Sequence, residues 1–119
     1  MENKYYPHLF QKGTVGGVVL KNRIVRNSMG TYLGNPDGTV TDRQIKAYAQ
    51  AADGGAGLIF MDNAVPVPMV SCGLRADKDE FIAGLTLLAE TVKEHGAVPL
   101  LKLQQRSLQS LTDKTATLS

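Results

Sequence analysis

Few residues of this 119-residue chain have the type and spacing that chemistry needs. A metal site requires several ligands close together, and His8 and His95 have no such spacing to each other or to carboxylates, so no metal ligand is predicted. His95 falls near the end of a predicted helix, where it can interact with the helix dipole. The run Asp77, Lys78, Asp79, Glu80 could supply a pair of carboxylates for acid–base work, but reads better as a charge-favoured helix start. Cys72 has no histidine partner visible in the sequence and reads as an ordinary thiol. Gly54, Gly55 and Gly57 precede an apolar run instead of following one, which is a turn and not the strand-then-GxGxxG order of a dinucleotide site. No catalytic residue emerges from side-chain types alone. Any site has to be found through the elements that would position it.

The clearest of these spans Asp37 to Asp62, DGTVTDRQIKAYAQAADGGAGLIFMD, a turn, capped helix, glycine turn and buried strand. Thr41 followed by Gln44 is a capping box: the hydroxyl accepts from the Gln44 amide while the Gln44 side chain reaches back to the Thr41 amide. Ile45, Tyr48, Ala49 and Ala52 recur at spacings of three and four, one apolar stripe, with Arg43, Lys46, Gln50 and Asp53 facing water. Gly54 and Gly55 can adopt the left-handed conformation that ends a helix. Leu58 to Met61 is apolar without alternation, as in a strand buried on both faces.

The same grammar flanks it. Arg23 to Met29 is a strand candidate whose following loop, residues 30–40, holds the turn sequence Asn35, Pro36, Asp37, Gly38. Asp77 or Asp79 can cap a second helix with the stripe Phe81, Leu85, Leu88, Val92, ending at Gly96. Val98 to Leu103 reads as a third strand, with Pro99 near its beginning. Ahead of these, Thr14 and Val15, Gly16 and Gly17, then Val18 to Leu20 form a small hairpin that could plug the base of a barrel. Strands joined through helices should be parallel with right-handed crossovers. The fold class is therefore α/β, a partial TIM (β/α)8 barrel: an N-terminal hairpin, then strand, helix, strand, helix, strand, truncated.

Composition suits such a fold, at 43% hydrophobic, 20% charged and 6% aromatic, with a formal net charge of +2. The basic residues are scattered without aromatic interleaving, so no nucleic-acid partner is expected. One cysteine cannot make an internal disulfide and fits a reducing compartment. No window approaches the roughly 20 apolar residues of a membrane span, and the polar start MENKYYPHLF lacks a signal-peptide core; the expected location is cytoplasmic. A complete barrel of this kind needs eight strands and about 250 residues. This chain stops before half of that, leaving open strand edges that would favour self-association.

Taken together, LKNRIVRNSMGT (Leu20 to Thr31), the stretch from Asp37 to Phe60, and HGAVPLLKLQ (His95 to Gln104) resemble the start of the old yellow enzyme family of FMN-dependent barrel oxidoreductases. Ser28 and Met29 are similar to those of the branch that includes bacterial 2,4-dienoyl-CoA reductases and bile-acid-modifying flavoenzymes. The resemblance runs from about Leu9 to about Leu103. It implies FMN across the C-terminal mouth of the barrel, accepting hydride from NADH or NADPH and passing it to an activated alkene, a small-molecule substrate. Position by position it implies that Ser28, Met29 and Gly30, after the first strand, and Asn63, after the second, bind the cofactor. These are places where barrel chemistry belongs physically, since barrel active sites are built from the loops after the strands.

The pattern also departs from the family. Gly30 stands where family members often carry a Thr or Cys that tunes the flavin potential. Asn63 replaces a small residue. In the third strand Lys102 stands where a Gln normally reads the flavin pyrimidine, and Lys102, Leu103, Gln104, Gln105, Arg106, Ser107, Leu108 break the family run. A lysine there could favour the reduced flavin anion, so Lys102 is the fifth candidate cofactor residue. Residues 1–104 thus read as the N-terminal part of an FMN-binding barrel and 105–119 as an irregular tail, the break being what a shifted frame or premature stop would give. Any iron–sulfur cluster would need ligands beyond Ser119. Two readings stay open: an FMN-dependent oxidoreductase represented by its N-terminal portion, or a non-catalytic fragment that binds FMN weakly or not at all.

Overall fold

The computed structural model describes residues 3–65 and 73–104. The chain begins with the expected hairpin, β1 (Gly13–Val15) antiparallel to β2 (Val18–Leu20), with Gly13 opposite Leu20. Gly16 and Gly17 sit at φ 56° and 83°, the left-handed backbone that both positions of this tight turn require. Three short strands form the parallel sheet, in the order β3 (Val25–Arg26), β4 (Leu58–Phe60) and β7 (Val98–Leu100). Val25 pairs with Leu58 and Leu58 with Val98.

Each strand is shorter than its apolar run suggested. The ladder continues past the regular pairs through single bonds, Met61 N–H to Leu100 O at 2.9 Å, Ala64 N–H to Lys102 O at 2.9 Å and Gln104 N–H to Ala64 O at 2.9 Å. The remaining pair, β5 (Ala64–Val65) with β6 (Leu74–Arg75), is parallel and absent from the sequence reading. Segments of two residues carry no periodicity from which to read them.

Helix α1 (Asp42–Asp53) begins at Thr41, whose hydroxyl accepts from the Gln44 amide at 3.1 Å and donates to Leu33 O at 2.6 Å. Half of the expected capping box is missing, because the Gln44 side chain turns inward and is fully buried. The stripe otherwise behaves as its spacing predicts: Tyr48 and Ala52 are buried, Ile45 and Ala49 partly so, and Arg43, Lys46, Gln50 and Asp53 are exposed. Of the two glycines after the helix only Gly55 is left-handed, at φ 105°; Gly54 stays at φ −64°. Thr41→Ala is expected to destabilise the chain by about 1 kcal/mol, the usual value of an N-cap, measured as a shift of the urea midpoint at constant slope. An unchanged midpoint would show that the cap contributes nothing.

Helix α2 (Ile82–Glu94) follows a 3-10 turn over Asp79–Phe81. Neither Asp77 nor Asp79 caps it with a side chain. Asp77 instead pairs with Arg75 at 2.6 Å, and Arg75 lies over the Phe81 ring at 4.5 Å while donating to Asp37 O at 3.1 Å. The Arg75 hydrogen bond holds the Asp77 carboxyl below its ordinary value. Phe81, Leu88 and Val92 are buried as predicted, Leu85 partly, and Gly96 closes the helix at φ 90°. His95 does more than meet a dipole: its Nδ1 lies 2.6 Å from Asp53 Oδ1, joining the ends of the two helices.

The core lies between sheet and helices. Tyr48 and Ala52 from α1, Leu88 and Val92 from α2, and Ile59 and Met61 from the central strand and its end form one cluster. Burying a side chain such as Ile59 or Leu88 contributes about 1.5–3 kcal/mol. Below the cluster, Asn22 donates to Gly55 O at 2.6 Å and accepts from the Ile24 amide at 3.1 Å. It thereby ties the turn before β4 to the segment before β3. Among the described residues no helix is long and apolar enough to cross a membrane, and no cluster of three metal-ligating side chains occurs.

Candidate cofactor site at the strand ends

Parallel register sends all three strands out of the sheet on the same side, with Arg26 level with Ile59 and Ile59 with Pro99. The residues that follow are Ser28, Met29 and Gly30 after β3, Asn63 after β4 and Lys102 after β7, so the five candidates share one end of the sheet. Ser28 is half-buried, Met29 is 63% exposed and Gly30 is exposed. Lys102 is exposed, not a buried lysine, and only its backbone carbonyl is engaged in the ladder. Asn63 is half-buried, but its Oδ1 is fully buried without a hydrogen-bond partner among the described residues.

Tyr32 shapes the loop after β3. It holds φ 55°, unusual for a residue with a side chain, and its ring lies over Gly30, where a Cβ would come within 3.3 Å of two ring carbons. The absence of a side chain at position 30 is what leaves room for that ring.

The dominant polar feature of this end was not among the sequence candidates. Asp62, 1% exposed, accepts hydrogen bonds from Thr31 N–H at 3.1 Å, Thr31 Oγ1 at 2.6 Å, Gln44 Nε2 at 3.1 Å and Tyr48 OH at 2.7 Å. Its own amide donates to Tyr48 OH at 2.6 Å. Burial first, and then the Asp62 carboxylate, hold the Tyr48 phenol well above its ordinary range, so Tyr48 remains a donor. The Arg26 guanidinium lies 5.4 Å from the Tyr48 ring centre. A signal for this cluster did exist. Gln44 and Tyr48 are one helical turn apart on the face turned to the sheet, and Asp62 directly follows an apolar strand.

The sequence profile of the NADH:flavin oxidoreductase / NADH oxidase family matches residues 8–119, nearly the whole chain. The chain belongs to that family. Among its relatives, an NADH oxidase of Thermoanaerobacter brockii is 40% identical over 110 residues, 89% of this chain and 17% of that protein. An NADPH dehydrogenase of Halalkalibacterium halodurans is 35% identical over 107 residues, 87% of this chain and 30% of its own length. The chain therefore spans less than a third of either relative. The old yellow enzyme from Pichia sp. AKU4542 superposes on 81% of this chain and 26% of its own, with a TM-score of 0.74 at 24% identity. That likeness identifies the fold as part of an α/β barrel. The family match continues through 105–119, expected from sequence to leave the barrel pattern; that stretch and Cys72 lie outside the described residues.

Proposed function

We propose that this chain forms the first strands of the FMN-facing mouth of an NAD(P)H-dependent oxidoreductase that reduces an activated alkene. The observation that carries the reading is the buried Asn63 Oδ1, without a hydrogen-bond partner among the described residues, at the same end of the sheet as Gly30 and the exposed thioether of Met29. An unsatisfied buried acceptor calls for a donor. A flat heteroaromatic ring with polar edges fits that set: apolar contact from Met29, backbone approach at Gly30 on the side away from the Tyr32 ring, and hydrogen bonding through the Asn63 amide and the Ser28 hydroxyl. Lys102, exposed at the third strand end, places a cation where it would favour a negatively charged ring. When bound, FMN supplies hydride transfer; the protein's part is to hold the ring and set its electrostatics. Family membership supports flavin and nicotinamide use, and the cytoplasmic setting and self-association through strand edges belong to the same reading.

The test is a visible spectrum of the purified chain after FMN addition and gel filtration, followed by anaerobic NADH or NADPH. Retained yellow flavin that bleaches is the expected result. A chain that stays colourless at saturating FMN would leave the non-catalytic reading in its place.

A further inference from the structure

We infer that Asp62 is the positioning residue of this mouth: by gripping Thr31 from below, it fixes where Ser28, Met29 and Gly30 stand relative to Asn63. The carboxylate is the immediate chain neighbour of Asn63, and it holds both the backbone amide and the hydroxyl of Thr31, the residue next to Gly30. One buried group therefore spans the two strand ends whose residues face the candidate ring.

The grip is built to be rigid. Asp62 is itself held from the helix side by Gln44 and Tyr48, which lie on successive turns of α1, and its amide closes a second bond onto the Tyr48 hydroxyl. Four donors converge on a carboxylate that is 1% exposed. Charge-assisted bonds of this length are the strong ones. Without them the stretch from Asn27 to Thr31 would have few restraints. Among the described residues its other side-chain-to-backbone contacts are short-range, the Ser28 amide to Asn27 Oδ1 at 2.8 Å and the Leu33 amide to Thr31 Oγ1 at 3.4 Å. The loop residues that would touch a ligand are thus placed by a residue that touches none, the arrangement by which a supporting shell fixes a binding constellation. That the ligand is FMN rests on the function proposed above; the gripping of the loop does not.

Asp62→Ala would leave four donors without their acceptor at once and could fail to fold, so the decisive variant is Thr31→Val, which removes one donor and keeps the shape. Amide hydrogen exchange of the full chain should quicken at least ten-fold at residues 28–31 in Thr31→Val, while β4 and α1 keep their protection. Thr31→Ser, which restores the hydroxyl, should recover wild-type exchange. FMN titration of the same three proteins should give a dissociation constant raised at least ten-fold in Thr31→Val and restored in Thr31→Ser. Equal exchange at residues 28–31 in Thr31→Val and wild type would overturn the assignment. Quickened exchange in a chain that never takes up FMN would uphold Asp62 as the anchor and remove the flavin reading alone.

Discussion

Tyr48→Phe is expected to cost the fold about 1–3 kcal/mol, the cost of a buried polar group left unpaired, because the Asp62 amide loses its acceptor while Asp62 Oδ1 keeps the Thr31 amide. The apolar part of the side chain is retained, so packing against Ala52 and Ile59 changes little. What is lost is the donor to Asp62 Oδ1 at 2.7 Å and the acceptor for the Asp62 amide at 2.6 Å. Neither can turn to solvent, since both residues are about 1% exposed. Urea unfolding followed by far-ultraviolet circular dichroism measures the loss, with an unchanged denaturant slope as the sign that only stability moved. A difference under about 1 kcal/mol would mean that the buried carboxylate finds other partners.

Gly57→Ala is the second large effect, about 2–3 kcal/mol, at the upper end of what overpacking usually costs. A Cβ at this position would lie 2.7 Å from both the carbonyl oxygen and Oδ1 of Asn22. Asn22 cannot swing aside without breaking its bonds to Gly55 O and the Ile24 amide. Gly55→Ala, two positions earlier, is the natural comparison. It meets no atom within 4 Å and carries only the strain of φ 105°. Paired denaturation curves should rank the Gly57 variant as the less stable. The reverse order would show that the approach of Asn22 relaxes freely.

Both effects show where the sequence was readable. Helix α1 could be placed because Thr41, the stripe through Tyr48 and Ala52, and the glycines after Asp53 each report a local preference. The parallel β/α order followed from the same units. Gln44 was assigned to the wrong partner because a capping box is defined by neighbours along the chain, whereas the donors of Asp62 come from a loop and a helix that meet only in the fold. Asp62 was not singled out for the same reason. Asp77 likewise looked like a cap until Arg75, two residues before it, claimed its carboxylate. The strand-end positions of Ser28, Met29, Gly30 and Asn63 were legible through family resemblance. The burial of the Asn63 Oδ1 was not, since it depends on the assembled fold and not on neighbours along the chain.

The register of the parallel sheet also bears on how the chain acquires its shape. The hairpin closes Val15 onto Val18 across two glycines, an event of microseconds for an isolated hairpin. Val25 must instead find Leu58, and Leu58 must find Val98, with a whole helix between each pair. Closing such spans costs chain entropy before the ladder returns any stability, and non-local pairing of this kind slows folding. The helices and hairpin are thus local structures that can precede the sheet, and the strand ends that carry Ser28, Asn63 and Lys102 stand together only once the longest closures are made.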